Sequence, residues 1–322
     1  MTHLPAIDPV LDRAIGCFVG LAVGDALGTT LEGAQQNSNQ CHAELTGGGP
    51  HQLNAGEWTD DTAMALCLAD SIIAKKGRLK LYDLMTRFAD WKDEGVNSCN
   101  GRCFDIGWTT AGSISQFLHD GNPIAGPIGE DSAGNGSIMR LAPAVLANLA
   151  DIDAAVESAR LQSLTTHGSL ACVEACELMA RILWGLINRP AGADPVLDIP
   201  IWRSRHPQVD EIARASWADR EATEVNSNGY VVSTLEAALW AVDTTSSFED
   251  ALVRAVNLGR DADTVGAVTG QIAGAVYGYD DIPERWLEKL AWRPKLENRA
   301  ASLFKLNRTP KRKFKLSRML SL

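Results

Sequence analysis

The sequence predicts an all-α fold in one body. Apolar residues recur at helical spacing in one segment after another, no stretch sustains the two-residue alternation of strands, and no interior linker is long enough to divide the chain. At 322 residues, 45% hydrophobic and 22% charged, the chain can bury a large core and does not read as disordered. The body is expected over residues 11–290, followed by a C-terminal extension, 291–322. A net charge of -10 argues against a general nucleic-acid binder.

The first expected helix, Leu11 to Leu27, carries Gly16, Gly20 and Gly24 every four positions. These line one face where another backbone can approach closely. Gly28 ends that helix, Glu32 follows in a short connection, and a polar, glycine-rich loop runs from Gly33 to Gly56. Helices are then expected over Asp60–Lys75, Leu79–Trp91 and Ala111–Leu118. A further helix opens at Gly136–Leu141, because Pro143 is tolerated only near a helix start. Ala154–Leu164, Ser169–Trp184, Tyr230–Val242, Phe248–Leu258, Asp263–Tyr277 and Trp286–Leu290 complete the pattern.

Pro190 to Asn228, rich in Pro, Trp and charge, reads as a surface excursion with one helix near Val209–Ala218. From Lys305 to Arg318 there are seven basic residues and no acid, the pattern of a solvated tail. Met1 to Val10 has no basic leader, and Ile15 to Leu27 is short and broken by glycines and Asp25, so no signal peptide or membrane span is expected. Seven cysteines without a CxxC pair fit reduced thiols in the cytoplasm.

Chemistry concentrates at two helix starts. Thr59-Asp60-Asp61 runs straight into an apolar helical pattern, where Thr59 or Asp60 can cap the helix and both carboxylates stand at its positive end. Asp261-Ala262-Asp263-Thr264 repeats the arrangement late in the chain. Either stretch alone serves equally as an ordinary helix cap. If the two met, four like charges would repel unless cations lay between them. Carboxylate, hydroxyl and water are ligands for Mg²⁺ or Mn²⁺ and not for a zinc thiolate site.

The ordered set of segments is more specific. GCFVGLAVGDALG (Gly16–Gly28), GEWTDDTAMAL (Gly56–Leu66), NGRCFDIG (Asn100–Gly107), GNGSIMRLAP (Gly134–Pro143), THGS (Thr166–Ser169) and NLGRDADTVGAVTGQIAGAVYG (Asn257–Gly278) resemble, in this order, the ADP-ribosylglycohydrolase family. The resemblance covers about Leu11 to Leu290. It implies an all-α orthogonal bundle with a dinuclear Mg²⁺ or Mn²⁺ centre in a cleft.

It further implies that Thr59, Asp60, Asp61, Asp261, Asp263 and Thr264 are metal ligands, with Asp263 as the bridge. Glu32 would approach metals and substrate, and Asp105 would act as base, with Glu32 the second candidate for that role. Gly134, Asn135, Gly136 and Ser137 form a small-residue loop suited to presenting backbone N–H groups and a hydroxyl to a pyrophosphate. His167 could hydrogen-bond phosphate or ribose, and Tyr230 could stack on adenine; both also serve as ordinary structural residues.

Arg140 is expected in an internal ion pair. Arg260 stands where relatives carry a small residue, and could offset the acids, bind diphosphate or face solvent. The implied activity is hydrolysis of the bond between ADP-ribose and a protein side chain, arginine first. Two other readings are a hydrolase of a free ADP-ribosyl metabolite and a binding protein that occludes a toxin or an ADP-ribosyltransferase.

Overall fold

A computed structural model describes residues 8–36, 41–193, 197 and 201–307. Among these there is no sheet, only the isolated bridges Gly48–Leu53 and Gly134–Tyr230. Thirteen α-helices follow one another: α1 Pro9–Gly28, α2 Asp60–Ala74, α3 Leu81–Glu94, α4 Trp108–Asp120, α5 Ala142–Leu146, α6 Ile152–Leu164, α7 Leu170–Asn188, α8 Pro207–Ile212, α9 Val231–Asp243, α10 Phe248–Val256, α11 Ala262–Tyr277, α12 Glu284–Leu287 and α13 Arg293–Leu306.

The fold is built on the antiparallel pair α1 and α11, its most extensive helix contact. The glycine row of α1 meets a second row on α11: Gly16 faces Gly274, Gly20 faces Gly270, Gly24 faces Gly266, and Gly28 faces Ala262. A methyl group on Gly24 would stand 2.0 Å from the Gly266 carbonyl oxygen, and one on Gly270 would stand 1.9 Å from that of Gly20. No side chain fits between these backbones. The C-terminal end of α1, and Glu32 just beyond it, are thereby held against the acidic start of α11. By length and composition the stretch Pro9–Leu31 could cross a membrane, but 83% of its most apolar window is buried inside this bundle.

Helices α2, α7, α9 and α10 pack around this pair, and α7 is buried along most of its length. The excursion after Pro190 is less superficial than its composition suggests. Its helix α8 spans only Pro207–Ile212, yet Val209, Ile212 and Trp217 are buried. Pro195 and Pro200 lie outside the described residues.

The chain beyond residue 290 also joins the body. Helix α13, absent from the sequence-based expectation, packs on α1, α2 and α5 through Leu296, Ala300, Leu303 and Phe304. Trp292 meets Trp58 edge to face at 5.4 Å, the Trp58 indole N–H bonds the Ala291 carbonyl, and Arg299 pairs with Asp70. The basic residues from Arg308 onward lie outside the described residues.

The segment expected to begin a helix at Gly136 is instead a series of turns, and α5 begins at Ala142. Pro143, at its first turn, sets that start.

Candidate active site

Helix α2 opens at the cleft without a cap of its own. Thr59 occupies the capping position, but its side chain bonds no α2 amide. Asp25, from α1, does that work. One carboxylate oxygen accepts from the Thr59 amide and hydroxyl, both at 2.9 Å; the other accepts from the Thr62 amide at 3.0 Å and its hydroxyl at 2.6 Å. With the orphan amide of Thr62 satisfied from another helix, Asp60 and Asp61 are free of any capping duty. The Thr59 hydroxyl also lies 3.1 Å from Asp61.

Helix α11 opens opposite. Asp261 accepts a 2.6 Å bond from the Asn135 side chain, which also donates to Thr234 at 2.9 Å. Asn135 and the α11 head are thus locked together, and the amide of Asp261 is taken by the Ser227 carbonyl.

These acids share a cleft of about 260 Å³ whose wall includes Glu32, Asp60, Asp105, Gly134, Asn135, Gly136, His167, Asp261, Asp263 and Thr264. Thr59 and Asp61 stand buried just behind Asp60. A larger hollow of about 900 Å³ lies elsewhere, beside Trp240 and Arg254, with Asp250 as its one carboxylate. The chemistry belongs to the smaller cleft.

Burial, and then mutual repulsion, hold the carboxyl groups of Asp60, Asp61 and Asp263 well above the usual range. Burial raises Glu32 to about 7, aided by the charges of Asp261 and Asp25. It raises Asp105 to about 7 as well, with Glu32 adding to the effect and His51 opposing it. Asp105 adopts a left-handed backbone, φ 60°, which Asp tolerates better than most residues.

The sequence reading did not single out Asp25, His51 or Trp108. His51 Nε2 lies 3.2 Å from both Glu32 and Asp105, and its ring packs on Phe104. Asp25 was legible as an acid at a helical position inside an otherwise apolar segment, and His51 as the sole histidine in the last stretch of loop before Gly56. Trp108, 96% exposed on the cleft wall, carries no sequence signal beyond its place after Asp105.

The metal expectation is met only in part. Among the described residues, one group brings three metal-capable atoms within 4.8 Å of one another: Glu32, His51 and Asp105. The six residues of the two helix heads converge on the cleft without forming such a group. Asp263 instead lies within hydrogen-bonding reach of Asp105 and Asp261.

Three further expectations change. The Ser137 hydroxyl faces away from the cleft, where it accepts from Ser163 at 2.9 Å and lies 3.5 Å from Cys176. The amides of Gly136 and Ser137 have no backbone acceptor among the described residues, and of the two residues Gly136 lies on the cleft wall. Tyr230 is outside the cleft wall, its hydroxyl donating to Gln208 at 2.7 Å. Arg140 forms no ion pair among the described residues. It donates to Gln162, Thr165 and Thr166 and lies over the Phe88 ring at 4.6 Å, an arrangement that neutral acceptors and a π face satisfy. Arg260 points away from the acids and bonds the Asn226 side chain at 2.8 Å.

His167 is buried in the wall, and burial together with the Arg140 charge lowers it to about 3, so its ring is neutral. Arg140 donates to the Thr166 hydroxyl at 2.7 Å, and that hydroxyl lies 2.8 Å from His167 Nδ1. Thr166 is therefore free to donate onward to Nδ1, which puts the imidazole proton on Nε2, beside Gly134 and Gly136.

An all-α bundle that gathers acids with raised pKa values and a neutral histidine in one cleft has the groups that acid–base hydrolysis needs. A family model described as ADP-ribosylglycohydrolase matches residues 7–313. ADP-ribosylarginine hydrolase Tri1 of Serratia proteamaculans is 42% identical over 91% of this chain and 79% of its own length. The ADP-ribosyl-[dinitrogen reductase] glycohydrolase of Rhodospirillum rubrum is 37% identical over 87% and 91%. A solved structure described as an ADP-ribosylglycohydrolase-related protein complex is 38% identical with a TM-score of 0.78, covering 92% of this chain and 99% of that one. The chain belongs to the ADP-ribosylglycohydrolase family and is an enzyme of glycohydrolase type.

Proposed function

We propose that this enzyme releases ADP-ribose from modified arginine side chains of proteins, with two divalent cations, Mg²⁺ or Mn²⁺, held between the starts of α2 and α11. One observation carries the metal reading. Asp61 Oδ1 and Asp263 Oδ1 are buried without any hydrogen-bond partner among the described residues. Orphaned carboxylate oxygens in a cluster of like charge fit hard cations, and hydroxyls and carboxylates are the donors such ions take. Thr59, Asp60, Asp61, Asp261, Asp263 and Thr264 would hold them. Bound there, the cations would fix the ribose hydroxyls and polarise a water.

The rest is the work of the chain's own groups. Cleavage at the ribose anomeric carbon develops positive charge on the sugar, which the surrounding carboxylates offset. Asp105, with a pKa near neutrality, is suited to take the proton of the attacking water, and Glu32 is the second group so tuned. The Gly136 and Ser137 amides, with Nε2–H of His167 beside them, are donors for the diphosphate. An acid-lined cleft attracts a guanidinium acceptor, and the exposed face of Trp108 offers it a stacking surface.

The arginine assignment draws on the likeness to the ADP-ribosylarginine hydrolase Tri1 of Serratia proteamaculans. It is tested by comparing ADP-ribose release from arginine-, serine- and acyl-linked conjugates, with Mg²⁺, with Mn²⁺ and with excess EDTA. Release from arginine conjugates that EDTA abolishes is the expected result. Full activity in EDTA, or a preference for another linkage, would overturn the corresponding half.

A further inference from the structure

We propose that the outer face of α4 and the loop after it, through Leu118 and Ile128, seat the polypeptide that carries the modified arginine. This surface favours a carrier with apolar, uncharged residues on either side of that arginine. The inference rests on the reading above of ADP-ribosylarginine in proteins as the substrate, and adds to it where the carrier lies.

Open apolar surface is concentrated there. Among the described residues eight large hydrophobic side chains are exposed, and four of them, Trp108, Leu118, Ile124 and Ile128, stand close together in the chain. A fifth, Tyr82 of α3, meets Phe117 of α4 edge to face at 5.1 Å and extends the same surface. Residues 106–129 carry a single formal charge, Asp120, in a chain of which 22% is charged. Clustered apolar side chains with little charge among them have the composition of an interface core and not of a solvated face.

Helix and loop together make one rim of the cleft. Helix α4 begins on the wall, at Trp108, Thr109 and Thr110, and its Ser113 hydroxyl bonds the Thr166 carbonyl at 3.1 Å. The loop returns to the same stretch of chain: the Gly126 amide bonds the Leu164 carbonyl at 3.1 Å, and the Pro127 carbonyl takes the Gly168 amide at 3.0 Å. A methyl group on Gly126 would stand 2.5 Å from the His167 amide nitrogen. Both elements are thus packed against the segment that supplies His167 to the wall, and Ile128, 82% exposed, follows directly on the Pro127 contact.

The substrate's own tether says what covers this rim. An arginine side chain is a short methylene stem ending in a guanidinium. Once its ADP-ribose lies in the cleft, the backbone that carries it is held at the mouth, and the neighbouring residues must rest on the rim. The cleft itself is lined by Glu32, Asp60, Asp105, Asp261 and Asp263, which repel acidic neighbours, whereas α4 offers apolar and small groups with no acid before Asp120. Charge and apolar surface therefore select the same carrier, a segment with apolar side chains beside the arginine and no acid.

The test uses the full chain in excess Mg²⁺ and compares kcat/KM for ADP-ribose release from free ADP-ribosylarginine and from peptides with one central ADP-ribosylarginine flanked by leucine, serine or glutamate. The wild type should favour the leucine-flanked over the serine-flanked peptide roughly tenfold, chiefly through KM. Added salt should leave that preference standing while it narrows the gap to the glutamate-flanked peptide. Leu118→Ser combined with Ile128→Ser should remove the leucine preference, and Ile128→Ser alone should remove part of it. Release from free ADP-ribosylarginine should be unchanged in both, which also shows that the variants are folded. A leucine preference equal in wild type and variants, or none in any, would overturn the docking surface, while release from the free conjugate would still uphold the arginine reading. A wild-type dimer that the double variant dissolves into monomers in sedimentation velocity would make this face an interface between copies and overturn the proposal as well. No release from any of these conjugates would overturn the arginine reading, and the carrier with it.

Discussion

Asp25 holds Thr59 by two hydrogen bonds on a single carboxylate oxygen, each 2.9 Å long, and so caps α2 from the body of α1. The same side chain takes the Thr62 amide and hydroxyl on its other oxygen. Four donors converge on one buried acid, so its geometry is over-determined. Replacing it by Asn turns one oxygen into a donor facing two donors. Asp25→Asn should destabilise the fold by about 2–3 kcal/mol and lower the rate of ADP-ribose release at least tenfold, by tilting Asp60 and Asp61. Chemical denaturation and steady-state kinetics check this; unaltered stability would mean that the Asp25 carboxylate is not a required acceptor.

The raised carboxyl groups make stability depend on pH with a definite sign. Folding lifts Asp25 from the ordinary 3.8 to about 6, Glu32 from 4.5 to about 7 and Asp105 from 3.8 to about 7, chiefly by burial. Between roughly pH 4 and pH 7 the folded chain holds more protons than the unfolded one, so this contribution is complete below about pH 4 and lost as pH rises through the window. In chelator, Tm should fall from pH 5 to pH 8, each kcal/mol counting for about 2 °C in a chain of this size. A divalent cation that displaces those protons should raise Tm more at pH 8 than at pH 5. A Tm in chelator that rises across the interval would show the acids already ionised in the folded chain.

Loss of the α2 acids should separate activity from stability. In Asp60→Ala combined with Asp61→Ala, release of ADP-ribose should be undetectable. Tm in chelator should stay level or increase, because two buried like charges are gone and the helix cap is supplied by Asp25. Circular dichroism and the release assay read the two effects independently.

Most of the bundle was legible because helical periodicity is local: the expected ends of α2, α6, α9 and α11 fall within two residues of those found. The α1 glycine row announced a close contact but not its partner, since Gly266, Gly270 and Gly274 lie far along the chain. Helix α13 was hidden by its polar composition, though Leu296, Ala300, Leu303 and Phe304 keep a helical spacing. At the cleft, acids next to one another in sequence were visible. Asp25, which acts across a helix contact, and His51, which acts from a loop, were not. Ser137 and Tyr230 show the remaining gap: sequence places a residue near a site but does not say which way its hydroxyl turns.

The glycine rows yield a direct test of how the two acidic heads are brought together. Gly270→Ala puts a methyl group 1.9 Å from the carbonyl oxygen of Gly20, on a backbone with no side chain to yield. The two helices must separate, at a cost of about 3 kcal/mol or more, at or beyond the upper end of ordinary overpacking. The displacement also parts Asp25 and Glu32 from Asp261 and Asp263. Loss of stability and of activity together is expected, by thermal denaturation and release assay. Gly185→Ala, inside α7 where the added methyl has open space, is the control and should leave activity unchanged while raising stability by up to about 1 kcal/mol.

Arg140 offers the last test, because its charge reaches the cleft through an intermediary. It is buried, donates to Gln162 and to the hydroxyl of Thr166, and lowers the pKa of His167. In Arg140→Met the side chain keeps its contact with Phe88 but leaves the Gln162 and Thr166 acceptors without their donor, at a cost of about 1–3 kcal/mol. Two consequences at His167 follow. Its pKa should rise from about 3, since the nearby positive charge is removed while burial remains. Its proton should also lose the fixed preference for Nε2, since Thr166 no longer receives a bond from Arg140. Imidazole nitrogen shifts in NMR report both changes. If the histidine assists the diphosphate as a donor, KM should increase more than kcat falls. A His167 resonance that does not move would separate Arg140 from the site and leave it a structural cation.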